Sequence, residues 1–525
     1  MLTRKGVYPY DYFTCLNKFE ESVLPPPAAF HNSLTNEDIS LEDYQHAENV
    51  WKTFNMKTLG EYHDLYLKTD VLLLADVFEN YRQLCLQYYD IDNAHTFTSP
   101  SLSWQACLKK SKKPLQLLTD IDMLLMFEKG IRAGVSMISH RHAQANIPNT
   151  KEFDPEKAPS YIMYWDANNL YGWAMSEYLP FGGFEWISPN NFMKDEKIDE
   201  EKILGLSDTA SQGYIFEIDL DYPASLHKTH NDYPVAPERL TVTEDMLSPF
   251  AKSLHPPRKY VGTPKLVPNL QPKSQYIIHY RNLKYYMQLG LQLTKIHRVI
   301  QFNQSPWLKD YIEFNTTKRK ASTSSFEKDF FKLLNNAVYG KTLENLRKRR
   351  NIELTNCEKR SKKLVASPNF KIFKIFNEDL VAVERTKQTV LMNRPIYIGF
   401  CVLELSKLLM YQFHYGYVKE KYSNRAQLLF TDTDSLCYHI QTENLYDDMK
   451  EDSDHFDFSD YPPREDGHFL HSNKNKKVLG KFKDELNGEL AIEFIGLKAK
   501  MYSIKTMSST KKELRGYPPI SSENS

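Results

Sequence analysis

The chain of 525 residues has no net charge to announce a partner, because Lys plus Arg and Asp plus Glu both total 67. A surface for a polyanion must therefore come from segregation of charge along the chain. Close cysteine pairs are also missing. Cys15, Cys85, Cys107, Cys357, Cys401 and Cys437 are scattered, which argues against a zinc site and a disulfide framework and fits a reducing compartment. The opening "MLTRKGVYPYDYF" lacks an apolar core of signal-peptide length, and no uninterrupted apolar run approaches a membrane span. The expectation is a soluble intracellular protein, nuclear if its host is eukaryotic, with no membrane partner.

What is present supports a folded chain. A hydrophobic share of 41%, with 33 Tyr and 29 Phe, is ample for a core, and the length calls for two or more lobes. Charge is indeed segregated: Lys341 to Lys363 holds nine basic residues against three glutamates, and Asp447 to Asp466 nine acidic residues against Lys450 and Arg464. Residues 1–145 read as mostly helical, with helical apolar spacing from Leu65 to Tyr89. The polar, proline-punctuated "AQANIPNTKEFDPEKAPS" reads as a linker. A polar helix pair is expected over about 310–350.

Chemistry concentrates in three places. In "LLFTDTDSLCYHI", apolar runs flank a turn bearing Asp432 and Asp434. Extended geometry would aim both side chains to one side, where their repulsion invites a hard divalent cation. An ordinary turn aspartate is the commoner explanation of such a pair, and the EF-hand pattern is excluded by Leu436. Asp166 likewise ends an apolar strand, "YIMYW", so a three-carboxylate cluster able to hold two metal ions is expected if the strands are neighbours; an N-cap is the simpler role for Asp166 alone. In "FFKLLNNAVYGKTLENLRKRR", Lys332, Asn336 and Tyr339 share a helical face that would suit a nucleotide, although a solvated basic face would show the same spacing.

Together these motifs resemble family B DNA polymerases. "DANNLYG", "KLLNNAVYGK" and "FTDTDS" are similar to three polymerase motifs of that family and stand in its order, while "GIRAGVS" and "LKAKMYSI" are similar to the template-contact and primer-contact motifs of its protein-primed branch, found in phages, linear plasmids and Polinton/Maverick transposons. The resemblance implies an α+β right-hand polymerase with an antiparallel palm sheet and helical fingers, preceded by a partial RNase H-like exonuclease domain. Implied boundaries are 1–145 for the exonuclease part and template linker, 146–310 for the first palm part with an insertion, and 311–350 for the fingers. A second insertion would occupy 351–400, the rest of the palm 401–505, and a shortened thumb or tail 506–525.

The resemblance further implies a magnesium-dependent nucleotidyltransferase using two ions, with Mn2+ as a substitute, acting on primer-template DNA and deoxynucleoside triphosphates, with a terminal protein as a possible primer. Asp166 and Asp434 would be the main metal ligands and Asp432 a supporting carboxylate. Tyr171 would gate the sugar, Lys332 would bind triphosphate with Lys318 or Lys320 as a second contact, and Asn336 and Tyr339 would shape the base-pair pocket. Lys500 and Tyr502 would hold the primer, and Arg132 and Gly134 the template. The sequence departs from the family pattern at Gly172 (usually proline), Ala337 (serine), Phe430 (tyrosine), Ile131 and Ala133. Tyr66 and Asp70 match the third exonuclease motif, but the first is absent from residues 1–65, so proofreading is not expected and both ends read as truncated. The alternative expectation is an inactive relic that binds DNA or a protein. A nucleotide-sugar transferase would leave the Lys332 helix and the Lys500–Tyr502 pair unexplained.

Overall fold

Two helix N-caps organise the beginning of the chain. Ser40 and Thr58 accept hydrogen bonds from the backbone N–H of Asp43 and Glu61, starting helices Leu41–Thr53 and Leu59–Tyr89. The second helix therefore begins before the apolar spacing predicts. It ends at Asp90, which adopts a left-handed conformation. The computed structural model describes residues 2–253, 262–463, 469–508 and 510–514, and divides the chain into two compact units, Met1–Leu102 and Ser103–Ser525. The first unit has a small core around Phe30, Val50, Leu59 and Tyr62. Its described residues form helices and turns with one isolated bridge, Asn32 to Glu37, and no strand precedes Ser136.

The second unit is built on an antiparallel sheet. Its strands run in the order Ser136–Ile138, Ala426–Asp432, Ser435–Gln441, Ser160–Ala167, Ala491–Lys498, Met501–Thr506 and Thr510–Leu514. Two short strands complete it: Phe482–Asp484 pairs with the end of Ser160–Ala167, and His142–Gln144 with Ala491–Lys498. Strand Ser160–Ala167 is buried everywhere except at Asp166, which explains its continuous apolar sequence. Alternation sends Tyr161, Met163 and Trp165 into the main core, while Ile162 and Tyr164 join Phe430, Phe494 and Tyr502 beneath the opposite face. Residues 510–514, placed in a thumb or tail by sequence, form the outermost strand; 515–525 lie outside the described residues.

Helix Ile396–Phe413 packs into the main core, and 16 of its 18 residues are buried. Extended to Arg425, it is by length and mean composition apolar enough to cross a membrane, although Glu404 and Lys407 interrupt its apolar run; 89% of its most apolar window is covered by protein, as befits a core helix. The helices expected as fingers, Lys309–Ala321 and Ser325–Thr342, are joined by a hydrogen bond donated by Asn315 Nδ2 to Asn335 Oδ1 at 2.8 Å. A four-stranded sheet is ordered Lys273–His279, Gln212–Asp221, Gln292–Ser305 and Leu179–Ile187. A three-stranded sheet, Asn351–Thr355, Leu380–Arg385 and Phe370–Asn377, accompanies helix Glu358–Val365 in the stretch expected as a second insertion.

One buried acid makes the large sheet testable by pH. Asp484 accepts backbone N–H groups from Leu486 and Gly488, each at 2.9 Å, yet burial pushes its carboxyl up to about 6. The folded state holds this proton more tightly than the unfolded chain does, so this group's stabilisation is full in acid and is lost as pH rises from about 4 through 6. Asp484→Asn should lower the Tm, because its amide nitrogen cannot accept the second N–H, but should flatten that decline. Thermal unfolding of both proteins from pH 4 to 7 checks it; parallel curves would contradict the placement.

Candidate active site

The hairpin register brings two strand ends together. Ser435 pairs with Asp166, and the N–H of Ala167 donates to the carbonyl of Asp434 at 2.8 Å. Asp166 and Asp434 consequently line one cleft of about 420 Å3. Asp432 does not join them. Thr433 between the two aspartates has φ +64, which breaks the extended alternation that would have aimed both the same way. Both carboxylate oxygens of Asp432 instead accept from Lys500 Nζ, at 2.5 and 2.7 Å. The expected three-carboxylate cluster is not assembled as placed: among the described residues, no three His, Cys, Asp or Glu groups could hold one metal ion together.

The pair of Asp166 and Asp434 still fits a divalent cation. Burial, followed by the nearby charges of Asp432 and Glu485, raises the pKa of Asp434 above its ordinary value against the opposing pull of a backbone bond and Lys483. An arriving cation would relieve this. Magnesium is commonly held by one or two carboxylates, with substrate phosphates and water completing its shell, so two protein carboxylates suffice. Lys483 faces Asp166 across the sheet, its Nζ 3.8 Å from that carboxylate and 2.7 Å from Glu485. Burial pulls the Lys483 ammonium down, but the Glu485 bond and Asp166 outweigh it and raise its pKa.

The opposite wall comes from the fingers. Lys332 and Asn336 line the cleft, while Tyr339 stacks on Tyr171 with ring centroids 4.5 Å apart and planes 21° apart. Tyr171 is oriented by a cap: Asn169, at φ +43, accepts the N–H of Gly172 at 3.2 Å. Proline at 172 could not donate that bond, and a Cβ there would stand 2.3 Å from Asn169 Nδ2, which accounts for the glycine. Beside Lys332 on this wall, the helix Lys309–Ala321 adds Arg319. Helical rotation takes its neighbours elsewhere: Lys318 lies over the ring of Phe314, and Lys320 lines an adjoining cavity.

Residues 3–418 match the family described as DNA polymerase type B, organellar and viral. The chain belongs to that family. No curated protein matches it. Among solved structures, Phi29 DNA polymerase with primer-template DNA in a post-translocation binary complex is 15% identical, with a TM-score of 0.48, and the alignment covers 98% of this chain and 72% of that one. The Phi29 ternary complex with primer-template DNA and incoming nucleotide gives 16%, 0.47 and the same coverage. The family B polymerase of the hyperthermophilic archaeon Pyrobaculum calidifontis gives 9% and 0.29, covering 96% of this chain and 42% of that one.

The segments expected to touch template and primer are internal to the second unit's sheet and core. Arg132 is buried: its guanidinium donates to the carbonyl of Ile277 at 2.7 Å and lies 3.6 Å from the centre of the Tyr276 ring, which leaves it unavailable for the expected template contact as placed. Tyr502 is buried as well, stacked on Phe430 with centroids 4.2 Å apart and its hydroxyl 3.2 Å from that of Tyr164, so its ring supports the aspartate hairpin from beneath. Phe430, in place of the family's tyrosine, suits this apolar stack. In the first unit Tyr66 stacks on Tyr8, and its hydroxyl is 2.5 Å from that of Tyr10, with Asp70 one helical turn away. Sequence reasoning missed Arg319, Lys477, Lys483 and Glu485. The last two follow the short run "VLGKF", and the strand-end criterion that singles out Asp166 would have found them had that run been longer.

Gly134 belongs to the aspartate turn. Thr433 N–H donates to the carbonyl of Val135 at 2.8 Å, and a Cβ on Gly134 would stand 2.5 Å from Thr433 Cγ2 and Oγ1. Gly134→Ala must therefore displace the turn, at about 1–3 kcal/mol of stability. Thr433→Gly removes the obstructing atoms and suits the positive φ, so the double variant should recover part of the lost Tm. Additive losses in a double-mutant cycle would contradict the contact.

Proposed function

We propose that this chain is a DNA-directed DNA polymerase that adds deoxynucleotides to a primer 3′ end. The observation that carries this reading is the facing of Asp166 and Asp434, on paired strand ends, toward Lys332 and Arg319 across one cleft. In the reaction, the primer 3′ oxygen attacks the α-phosphorus, the bond to the β-phosphate bridging oxygen breaks, and pyrophosphate leaves. Asp166 and Asp434 would hold magnesium, which when bound activates the attacking oxygen and offsets charge on the leaving group. Lys332 and Arg319 neutralise the triphosphate from the finger side. Tyr171, flat against Tyr339, presents a ring edge where a ribose 2′-hydroxyl would collide, and Asn336 borders the nascent base pair. Lys500 acts through Asp432: it fixes the hairpin and partly neutralises the third negative charge beside the pair.

The motif pattern of the protein-primed branch supports the finer reading that synthesis starts from a terminal protein, in a virus or mobile element. The nine basic residues from Lys341 to Lys363, at the entry to the second insertion, provide a surface for DNA phosphates. Proofreading is not part of the proposal, because the Tyr66–Asp70 pair offers one carboxylate for chemistry that requires several.

The test is single-turnover extension of a labelled primer-template with magnesium. Wild type should extend, and Asp434→Asn should lose about 10³-fold or more in rate while binding primer-template within about twofold of wild type, since basic groups hold the DNA. Equal extension by the variant would contradict the reading. Tight DNA binding by a wild type that extends nothing would favour a non-catalytic binding protein.

A further inference from the structure

Opposite the fingers, the cleft is closed by the loop "SNKNKKVLGK", and one of its lysines points to a task that the family motifs do not assign. Lys477 and Leu479 line the cleft together with Asp166 and Asp434. The loop is tied to the strand end that carries Asp166. The carboxylate of Asp457 accepts both Lys477 N–H and Asn168 Nδ2, each at 2.7 Å, and two backbone bonds of 2.8 Å link Asn168 with Gly480 and Lys481. Positive φ angles at Asn475, Lys477 and Gly480 set its path. Lys477 is therefore held in register with Asp166 and is not a freely waving surface lysine.

Its neighbours leave it in want of an anion. Lys474 and Lys481 are spent on Asp454, through its carboxylate and its carbonyl. The ammonium of Lys477 has no hydrogen bond or ion pair among the described residues. Burial, and then the cations Arg319, Lys476 and Lys328, lower its pKa, with Asp460 acting the other way. Lys477 also lines a second cavity, of about 340 Å3, where Lys320, Ser176, Thr316 and Thr317 supply donors and Glu313 is the one carboxylate. The two spaces share Thr316, Lys477 and Leu479. A cation standing between them can reach an anion in either.

We propose that Lys477 receives the β- and γ-phosphates of the incoming nucleotide from the palm side and guides the pyrophosphate product into the Lys320 cavity. This rests on the polymerase reading for the identity of its substrate, but the phosphate site itself can be measured without catalysis. Lys332 and Arg319 stand on two separate helices, whereas Lys477 is tied to the strand of Asp166; the product would therefore keep a cationic partner as it leaves the carboxylates.

The full chain is tested as wild type, Lys477→Asn, which tolerates a positive φ and keeps the backbone bond to Asp457, and Lys477→Arg. Calorimetry with inorganic pyrophosphate and magnesium should show about tenfold weaker binding for the Asn variant and near-normal binding for Arg. In primer extension, the Asn variant should raise the KM for deoxynucleotide and weaken product inhibition by pyrophosphate by similar factors, with primer-template affinity unchanged. Unaltered pyrophosphate binding would overturn the proposal, as would a loss of DNA affinity parallel to the rise in KM, which would make Lys477 a DNA contact. A wild type that fails to extend primers yet binds pyrophosphate through Lys477 would sink the polymerase reading and leave the phosphate site standing.

Discussion

Repulsion between like charges at the ends of two paired strands is the constraint around which this site is arranged. Backbone pairing of Ser435 with Asp166 leaves the two strand-end carboxylates little choice of place, and a third, Asp432, is only two residues away. The fold handles the excess in two ways. Thr433 takes a left-handed turn that separates Asp432 and delivers it to Lys500. Lys483 and Glu485 then set a partly compensating ion pair beside Asp166. What remains is one partly buried pair, only partly offset by Lys483, with Asp434 raised above the ordinary carboxylate range and open to the cleft. Such a pair favours a divalent cation and gives a reason for the concentration of positive groups on the opposite wall.

The surrounding packing serves to keep that pair in place. Gly134 lets the chain before the first sheet strand press on the Thr433 turn, and the Phe430–Tyr502 stack supports the hairpin from the other face. The residues expected to touch template and primer are thus spent on geometry. In the same way the Asn315–Asn335 bond holds the finger helices together, so that Lys332 and Arg319, on different helices, face one space. Each of these contacts joins segments far apart in the chain. Local sequence pattern cannot show such contacts directly.

That distinction explains what could be read in advance. Strand Ser160–Ala167, the aspartate hairpin and the finger helices announce themselves through apolar spacing and strand-end charges, and their motifs sufficed for the family. The direction of Asp432 could not be read, because it depends on a left-handed threonine. Choosing Lys318 or Lys320 over Arg319 was a matter of helical phase, which one residue of shift reverses. Arg132 and Tyr502 look exposed by motif and are buried in fact. Helix Ile396–Phe413 likewise has the composition of a membrane span and the surroundings of a core.

The central claim is that Asp166 and Asp434 form the cation site while Asp432 belongs to Lys500. Electron paramagnetic resonance of Mn2+ titrated with a deoxynucleoside triphosphate and the full chain tests it directly. The account predicts that Asp166→Asn and Asp434→Asn each weaken ion binding by more than about tenfold, whereas Asp432→Asn stays within about threefold of wild type. Loss of the ion in Asp432→Asn as complete as in Asp434→Asn would contradict it.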